Sequence, residues 1–458
     1  MKNLFLSLTA ALLLAGCSGN VADEKVVELH NPILPGYFAD PSIVQYEGKF
    51  YIYATTEPWG TDFLSCWVSD DFQDWTFHTL NWPTKAACST LQSGSSMVWA
   101  PSVIERDGMF YMYISVGSEV WCGRASHPLG PWENALGDRP MIPYDTTMYY
   151  HVIDAEAFID DDGRAYLYWG SGWNWINGHC FAAELNEDMA TFKTEPKEVT
   201  PTRYFEAPWM IRHDGSYYLT YSEGITMDET YEVRYAVGDN PFGPFTEAEN
   251  SPILTYSDDL QVYGPGHHTF FAFEGKNYIL YHRHRLPFVT GEAYRQICIN
   301  EFTFDDVKKQ IHTIVPNHTQ VFPNLAKSEK EYTAPSSVAA SSVSAPYREA
   351  KFVLDNDYST RWEAAENDLQ PTLRVDFGKE VSARTLEIRF EYPWKNYYVK
   401  VESSVDGNSW QNVADHTSGG ISGSPVNIPL EGHYRFVRLS FDVSPEEARP
   451  SVWEFRFY

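Results

Sequence analysis

The sequence is short of basic residues, of long hydrophobic runs and of helical periodicity. Lysine and arginine number 34 against 62 acidic residues, which gives a formal net charge of −28 at pH 7. That charge repels polyphosphate backbones and anionic lipid surfaces, so we expect no nucleic acid partner. Beyond the first 20 residues, no hydrophobic run reaches membrane-spanning length. Alternating apolar and polar residues with frequent turn signals instead predict an all-β protein.

Cysteine is also scarce, which limits the disulfides that the fold can contain. Five cysteines follow position 17, and they are Cys66, Cys88, Cys122, Cys180 and Cys298. An odd number cannot all pair within one chain, and no CxxC or Cys/His cluster indicates a zinc site. We therefore expect buried thiols with at most two disulfides.

The first 20 residues are typical of an export signal. An apolar run from Leu4 to Leu14 leads into Leu14-Ala15-Gly16-Cys17. The run is too short to span a bilayer as a mature helix, and small residues before a cysteine precede cleavage and lipid attachment. We predict that residues 1–16 are removed, that Cys17 is lipidated and that residues 17–27 form a tether. This predicts a lipoprotein of a bacterial cell envelope, compatible with outer-membrane sorting, that touches the membrane only through its lipid.

Aromatic residues, by contrast, are abundant. They make up 16% of the chain, with 30 tyrosines and 15 tryptophans. Packing within β-sheets accounts for some of them, and the remainder favours a surface on which sugar rings stack. Neutral sugars also suffer no repulsion from an acidic protein, so we expect a carbohydrate partner.

A strand, a glycine turn and an aromatic strand recur five times along the chain. The first copy reads Asp40-Pro41-Ser42-Ile43, then Glu47-Gly48-Lys49, then Phe50-Tyr51-Ile52-Tyr53. The turn glycines of the five copies are Gly48, Gly108, Gly163, Gly215 and Gly275. Their spacings of 60, 55, 52 and 60 residues are the period of a four-stranded propeller blade with its loops. The sequence therefore predicts a five-bladed β-propeller, assigned to residues 28–323.

The repeat also predicts a site, because the innermost strands of a propeller gather around one axis. Eight residues before four of the turn glycines stand Asp40, Ala100, Ala207 and His267, with Glu206 one residue earlier. The third blade needs nine steps to reach Asp154, which predicts a bulge or a longer turn there. Three carboxylates and one histidine should therefore converge near the axis.

Hydrolysis of a glycosidic bond needs two carboxyl groups. One protonates the leaving oxygen, and the other activates water or attacks the sugar carbon. Asp40, Asp154 and Glu206 supply both with one to spare, and a third carboxylate would raise the pKa of the acid by like-charge repulsion. Aspartates that only cap turns are common, but three acidic residues at equivalent blade positions favour a catalytic site.

These motifs resemble glycoside hydrolase family 43 over about residues 28–320. Phe38-Ala39-Asp40-Pro41-Ser42 resembles the family's general-base segment, and Phe205-Glu206-Ala207-Pro208 resembles its general-acid segment. Ile153-Asp154-Ala155-Glu156 resembles the segment with the pKa-modulating aspartate. The resemblance implies inversion, with Asp40 activating the water and Glu206 protonating the leaving oxygen. Family 32 hydrolases share the fold but retain configuration, and their Arg-Asp-Pro and Glu-Cys pair is not seen here.

The resemblance also implies residues that hold the sugar. Trp99-Ala100-Pro101 resembles the segment whose tryptophan walls the deepest subsite, and Phe38 of the general-base segment is predicted to contact substrate. Arg295 resembles the arginine that holds the substrate and the acid. That assignment stays open among its neighbours, which are His282, His284 and Arg285.

A cation in the propeller channel is implied by the same resemblance. Gly264-Pro265-Gly266-His267 resembles the motif whose histidine faces a channel cation, often calcium, through its water shell. A lone histidine in a strand is more often a core residue, but one that opens an inner strand after Gly-Pro-Gly is less ordinary. We expect Ca²⁺ near His267 and no organic cofactor.

From Asn324 onward the composition changes, and a serine- and alanine-rich stretch leads into a second domain. Residues 354–362, 373–378, 401–407 and 454–458 resemble, in order, the discoidin or factor 5/8 C-type β-sandwich, so we assign residues 324–458 to it. Such domains resemble carbohydrate-binding module family 32, which implies glycan binding, whereas packing on the propeller is the alternative. Four aromatic residues could form a stacking platform or belong to the core: Tyr392, Trp394, Tyr397 and Tyr398. A structural Ca²⁺ near Asp355 and Glu454 is common in this fold.

The leading functional hypothesis is an inverting, exo-acting α-L-arabinofuranosidase that trims plant polysaccharides such as arabinoxylan, arabinan or arabinogalactan. β-D-Xylosidase is the close alternative, and an exo-acting galactosidase is another. The loops Tyr144 to His151 and Trp173 to Trp175 could wall off the channel, whereas an open groove would give endo-arabinanase or endo-xylanase action. A non-catalytic glycan-binding lipoprotein would show the loss of one acidic position, and all three acids are present.

Overall fold

The structure is a computed structural model that describes residues 25–326, 331–443 and 448–458. The predicted signal peptide 1–16, the lipidation site Cys17 and residues 17–24 of the tether lie outside the described residues. Within those described ranges the regular secondary structure is almost entirely β-strand, and no helix has the length and apolar character needed to cross a membrane.

Residues 26–323 form five sheets and two flanking strand pairs. Their strands are β1 (Val26–His30), β2 (Phe38–Tyr46), β3 (Lys49–Thr56), β4 (Phe63–Ser69), β5 (Thr76–Thr84), β6 (Val98–Arg106), β7 (Met109–Val116), β8 (Val120–Ala125), β9 (Glu133–Asn134), β10 (Glu156–Ile159), β11 (Ala165–Trp169), β12 (Phe181–Glu184), β13 (Lys197–Glu198), β14 (Glu206–His213), β15 (Ser216–Glu223), β16 (Glu232–Gly238), β17 (Thr246–Glu247), β18 (Gly266–Phe273), β19 (Lys276–His284), β20 (Arg295–Phe302), β21 (Phe304–Asp305), β22 (Gln310–Ile311) and β23 (Thr319–Pro323). The sheets are the antiparallel series β2 to β5, β6 to β9, β10 to β13, β14 to β17 and β18 to β20. Their first strands contact one another in a ring, from β2 through β6, β10 and β14 to β18 and back to β2. This is the predicted five-bladed propeller.

The fifth blade differs from the predicted four strands, because its sheet contains three. The segment before β2 takes the place of an outer strand. The side-chain amide of Asn31 donates to Ile299 O at 2.8 Å and accepts from Ile299 N at 2.9 Å. Ile33 N then donates to Ile297 O at 2.9 Å. β1 also pairs with β23 from Val26 onward, so residues 26–27, predicted as tether, belong to the propeller.

Each blade has a residue with left-handed backbone geometry at or near the start of its inner strand. The residues are Asp40 (φ 52°), Ala100 (φ 47°), Asp154 (φ 58°), Ala207 (φ 54°) and His267 (φ 38°). In four blades the strand pairing shifts at this residue, which marks a β-bulge. Bulges re-aim side chains, and a non-glycine residue adopts this conformation only where its surroundings hold it. This strained conformation recurs at the same position in every blade, and it directs the predicted site residues towards the propeller axis.

The extra residue predicted for the third blade comes from its turn. Residues 160–164 connect Ile159 to its partner Ala165, whereas two residues, Glu47 and Gly48, close the first hairpin. The longer loop moves the turn glycine one step further from Asp154. This is one of the two explanations that the spacing allowed.

The C-terminal domain is a two-sheet β-sandwich, as predicted. Its strands are β24 (Ser337–Ala340), β25 (Trp362–Glu363), β26 (Thr372–Val381), β27 (Thr385–Phe390), β28 (Tyr398–Ser404), β29 (Gln411–Asp415), β30 (Val426–Pro429), β31 (Tyr434–Asp442) and β32 (Ser451–Phe457), with 3₁₀ helices at Pro346–Arg348 and Ala350–Leu354. One sheet has the order β24-β26-β31-β28-β29 and the other β25-β32-β27-β30. Side chains such as Trp362, Leu373 and Val401 fill the core between them.

The sandwich packs directly on the propeller. Tyr37 is buried between the domains, with Trp453 at 5.5 Å and Tyr392 at 6.1 Å between ring centroids. Arg389 Nη1 donates to Trp75 O at 2.8 Å. Trp394 packs on propeller phenylalanines. These aromatic residues therefore form an interdomain core rather than an exposed stacking platform.

Two of the four aromatic residues in question lie elsewhere in the sandwich. Tyr397 is buried and stacks on Phe390 at 4.1 Å between centroids. Tyr398 begins β28 and is half-buried. The core interpretation of this group therefore holds for Tyr392, Trp394 and Tyr397.

Candidate active site

The structure brings the predicted carboxylates together at the opening ends of the inner strands. His267 Nδ1 lies 3.2 Å from Asp40 Oδ1 and 3.7 Å from Asp154 Oδ2. Asp40, Asp154 and Glu206 all line one cavity, although each is largely buried in the protein. Residues far apart in sequence therefore meet because their blades surround the same axis.

Asp40 is held as a carboxylate. Thr55 Oγ1 donates to its Oδ2 at 2.7 Å, and Arg295 Nη1 lies 3.2 Å from its Oδ1. Burial by itself would raise the pKa of Asp40, but the positive charge of Arg295, followed by His267 and His282, leaves that pKa well below its usual value. An ionised carboxylate of this kind can take a proton from water.

Glu206 is held in the opposite state. Burial raises its pKa to about 7, although hydrogen bonds from Tyr231 (2.8 Å) and Ser171 (3.0 Å) oppose the shift. Asp154 also has a pKa well above its usual value, through burial and then through the charges of Glu206 and Asp40. Ionisation of either group therefore opposes ionisation of the other. Near neutral pH, Glu206 can carry a proton into the cavity, while Asp40 cannot.

The cavity itself has a volume of about 200 Å³ and aromatic walls. The residues that line it include Trp59, Trp99, His151, Trp173, Trp175 and Phe205. Trp99 stands where the sequence predicted an aromatic wall, between Trp59 at 6.5 Å and His151 at 6.3 Å. His151 in turn stacks on Trp173 at 4.2 Å. These rings form a continuous arc around the space that the carboxylates face.

Arg295 lies in the site, but its contacts differ from the expectation. Its Nη2 lies 2.5 Å from Glu57 Oε1, its Nη1 contacts Asp40, and its guanidinium lies 5.2 Å from the Trp59 ring. It therefore holds the base rather than the acid. Arg285 pairs with Glu292 instead, so among the open alternatives Arg295 is the arginine of the site.

Phe38 does not fit the substrate contact that was predicted for it. Its side chain is 0% exposed and does not line the cavity. The ring packs against Trp67 at 5.4 Å and against Trp394 of the sandwich at 5.9 Å. Residues two apart share a face in a regular strand, so Phe38 and Asp40 diverge because the strand bulges between Ala39 and Ser42, and Phe38 supports the strand from the core side.

Direct coordination of calcium by His267 does not fit the structure. Across the described ranges, no group of three or more histidine, cysteine or acidic side chains is arranged to hold a metal ion. Calcium takes six to eight oxygen ligands, whereas the channel cavity beside His267 is about 20 Å³, room for about one water molecule. Contact through a water shell stays a prediction, and the chemistry described below does not depend on it.

The calcium predicted for the sandwich finds a more suitable set of donors. Asp355 accepts from Thr360 Oγ1 at 2.7 Å, and Glu454 accepts from Asn356 N at 2.9 Å. Burial raises the pKa of Asp355 to about 6 and that of Glu454 well above its usual value, and Asp355 adds to the latter shift. Carboxylate oxygens are ligands that suit calcium, although the positive charges of Arg456 and Arg389 partly offset the charge of Glu454. Such an ion would join the turn at Asp355 to Glu454 in the middle of β32.

Three residues of the site were not predicted from the sequence, namely Glu57, Ser171 and Tyr231, and His282 was named only as an alternative to Arg295. Each lies outside the repeated inner-strand position, either in a connection after a strand or on a second strand. Their contacts arise from tertiary structure, so the blade period carries no signal for them. The one sequence signal for Tyr231 is the second glycine of the Gly-Pro-Gly motif. An added Cβ at Gly266 would lie 2.2 Å from the Tyr231 ring, so this position must be glycine for the ring to fit.

The arrangement can hydrolyse a glycosidic bond. A protonated Glu206 gives its proton to the glycosidic oxygen as the carbon–oxygen bond breaks, and the bonding electron pair stays with that oxygen. Asp40 removes a proton from a water molecule whose oxygen bonds to the sugar carbon. Asp154 and Glu206 are close enough that ionisation of one opposes ionisation of the other, so the pair keeps a proton that Glu206 can deliver.

Comparison with known proteins gives the same assignment. Residues 29–307 match glycosyl hydrolases family 43, and residues 337–455 match the F5/8 type C domain. A beta-D-galactofuranosidase of Aspergillus niger is 34% identical over 294 residues, which cover 60% of this chain and 82% of that protein. A xylosidase/arabinosidase of Bacteroides ovatus is 28% identical over 304 residues, which cover 55% and 87%.

A solved structure described as a glycoside hydrolase matches both domains at once. It superposes with a TM-score of 0.79 at 27% identity and covers 94% of this chain and 99% of that chain. The family match spans more than half of the sequence and includes all three carboxylates of the site. The chain belongs to glycosyl hydrolases family 43, with an F5/8 type C domain after the propeller.

Proposed function

We propose that the protein is an inverting, exo-acting α-L-arabinofuranosidase that removes arabinosyl side chains from plant polysaccharides such as arabinoxylan, arabinan or arabinogalactan. The observation that carries the proposal is the pairing of an ionised Asp40 with a protonated Glu206 in one small, aromatic-walled cavity. A two-carboxylate glycosidase needs this division, because one group must be charged while the acid keeps its proton, and the match to family 43 supports inversion.

The size of the cavity supports removal of one sugar at a time. At about 200 Å³ it is smaller than the roughly 300–1,000 Å³ of pockets that hold drug-sized ligands. His151 and Trp173, from the two loops that could wall off the channel, stack at 4.2 Å along one side of it. A closed wall limits the number of sugar units beyond the scissile bond, which favours exo over endo cleavage.

The names of the relatives support a pentose or a furanose sugar. One relative is called a beta-D-galactofuranosidase and another a xylosidase/arabinosidase. α-L-Arabinofuranose is the furanose form of a pentose and so agrees with both names. β-D-Xylosidase is the second candidate, and β-D-galactofuranosidase is the third because of the identity with the Aspergillus niger protein.

The location proposed for the enzyme follows from its N-terminal residues. A lipid on Cys17 would tether the enzyme to a bacterial envelope membrane, with the outer membrane as the proposed site. The propeller would then meet polysaccharide close to the cell. We also propose that the sandwich binds glycan. Its packing on the propeller is compatible with this.

The test is hydrolysis of nitrophenyl α-L-arabinofuranoside, β-D-xyloside and β-D-galactofuranoside side by side, with Asp40→Ala as the inactive control. Preference for the arabinoside, lost in Asp40→Ala, supports the proposal. Preference for the xyloside or the galactofuranoside replaces it with that activity. Wild-type protein that cleaves arabinan internally but none of the three glycosides overturns exo action.

A further inference from the structure

The two oxygens of the Glu206 carboxyl group have different partners. Tyr231 OH donates to Oε1 at 2.8 Å, and Ser171 Oγ donates to Oε2 at 3.0 Å. Two hydroxyl donors fix both the rotation of the carboxyl group and its distance from the surrounding strands. Glu206 therefore has a defined orientation before any substrate is bound.

The two oxygens also differ in their access to the cavity. Ser171 lines the cavity, whereas Tyr231 is fully buried behind the carboxyl group and does not line it. Ser171 Oγ also lies 3.4 Å from Gly172 O, which can accept its hydrogen when Oε2 carries the proton. Ser171 and Tyr231 are both fully buried, but only Ser171 lines the cavity, so we place Oε2 on the cavity side and Oε1 on the side of Tyr231.

Tyr231 is held rigidly in this position. Its ring is stacked on His282 with an angle of 2° between the planes and 5.6 Å between centroids. On another side it contacts Gly266, where any Cβ would clash with the ring. His282 Nδ1 lies 3.3 Å from Asp40 Oδ1, so the stacked pair connects the acid with the base.

We propose that Tyr231 is the positioning residue of the general acid, which holds Glu206 Oε1 so that Oε2 delivers the proton to the leaving oxygen. The inference rests on the proposed glycosidase function and goes beyond it, since it assigns the donating oxygen. When the Oε2–H bond breaks, the proton passes to the glycosidic oxygen, and the negative charge that remains on Glu206 is shared with Oε1. The fully buried Tyr231 hydroxyl stabilises that charge by donating to Oε1.

The test is Tyr231→Phe, which keeps the ring, its stacking on His282 and its contact with Gly266, and removes only the hydroxyl donor. Without that donor the ionised form of Glu206 is less stable, so the pKa of the carboxyl group should rise by about one unit. The basic limb of the pH profile of kcat/KM should shift to higher pH by the same amount. The profile is measured on the nitrophenyl glycoside that the wild type prefers. Turnover should fall about tenfold, and less with a dinitrophenyl leaving group, which needs little protonation.

The matched control is Tyr221→Phe, which removes a buried hydroxyl in the same blade that donates to Thr202 O at 2.7 Å. Its pH profile should equal that of the wild type. A direct titration of the Glu206 carboxyl carbon by ¹³C NMR gives the pKa without any substrate. An unchanged Glu206 titration in Tyr231→Phe overturns the inference, whereas a shifted titration in a protein that hydrolyses no glycoside overturns only the proposed function.

Discussion

The indole of Trp394 in the sandwich packs edge-on against Phe38 of the propeller, with ring centroids 5.9 Å apart. Phe38 lies two residues before Asp40 on the same bulged strand. The sandwich therefore supports the strand that carries the catalytic base, in addition to any contact that it makes with glycan. We therefore expect domain packing and catalysis to be coupled through Trp394 and Phe38.

Replacement of that indole should damage both stability and activity. We expect Trp394→Ala to lose about 2–4 kcal/mol of unfolding free energy, because a large ring leaves an interdomain core. The turnover number should fall more than KM rises, since the Asp40 strand loses its support. Thermal melts and nitrophenyl glycoside kinetics measure the two effects.

Trp410→Ala is the matched control for that experiment. Trp410 lies in the same sandwich, with the Arg438 guanidinium 4.0 Å from its ring, and none of its ring contacts is with the propeller. Turnover should stay at the wild-type value in this variant. Equal losses of turnover in both variants would contradict the coupling between Trp394 and the active site.

Replacement of the acid and of the base should have different consequences for different leaving groups. Glu206→Gln cannot donate a proton and should slow hydrolysis of natural linkages by about 10²–10⁴-fold, with a much smaller effect on dinitrophenyl glycosides. Asp40→Asn cannot activate water and should be slow on every substrate. Initial rates across a series of leaving groups measure this, and a Glu206→Gln variant equally impaired on all of them would argue against its assignment as the acid.

The pH dependence of kcat/KM should be set by the two unlike carboxyl groups. Glu206 acts in its protonated form, so activity should fall as pH rises through about 7, the value to which burial raises its pKa. Asp40 acts in its ionised form, and its lowered pKa should preserve activity below pH 4. Rates between about pH 3 and pH 9 test this, and a loss of activity on the acidic side near pH 6 would show that Asp40 is not held ionised.

Removal of Arg295 should shift the acidic limb of the pH profile of kcat/KM to higher pH. Arg295→Met leaves Asp40 and Glu57 buried without their cation, which should cost about 3–5 kcal/mol of stability and raise the pKa of Asp40. Adding Glu57→Gln removes one of the two uncompensated charges. The double variant should therefore regain stability, while the acidic limb of its pH profile stays shifted. An Arg295→Met variant as stable as the wild type would show that Arg295 does not compensate the buried charges of Asp40 and Glu57.

Calcium should stabilise the sandwich through Asp355. We expect a chelator to lower the thermal midpoint of the wild-type protein and added Ca²⁺ to restore it, with Asp355→Asn insensitive to both. Asp406→Asn is the control, because Asp406 accepts backbone hydrogen bonds in another turn of the same domain. A wild-type midpoint that does not respond to chelation would show that Asp355 and Glu454 bind no ion.

The sequence alone determined the architecture and which acidic side chains meet near its axis. Hydrophobic alternation and a glycine turn repeated every 52 to 60 residues are local properties, because a hairpin forms between residues adjacent in the chain. Five repeats then imply a ring, and a ring implies that equivalent positions face one axis. Asp40, Asp154 and Glu206 could therefore be named from their places in the repeat.

Only the tertiary structure decided what surrounds those acids. Tyr231, Ser171 and Glu57 reach the site from connections that follow no repeat, and Phe38 turned away from the cavity because the strand bulges beside it. Asp40 and Glu206 are both buried, so the difference between their pKa values depends chiefly on the contact of Arg295 with Asp40. Such contacts are set by packing between blades and by the docked sandwich, and no spacing along the chain encodes them.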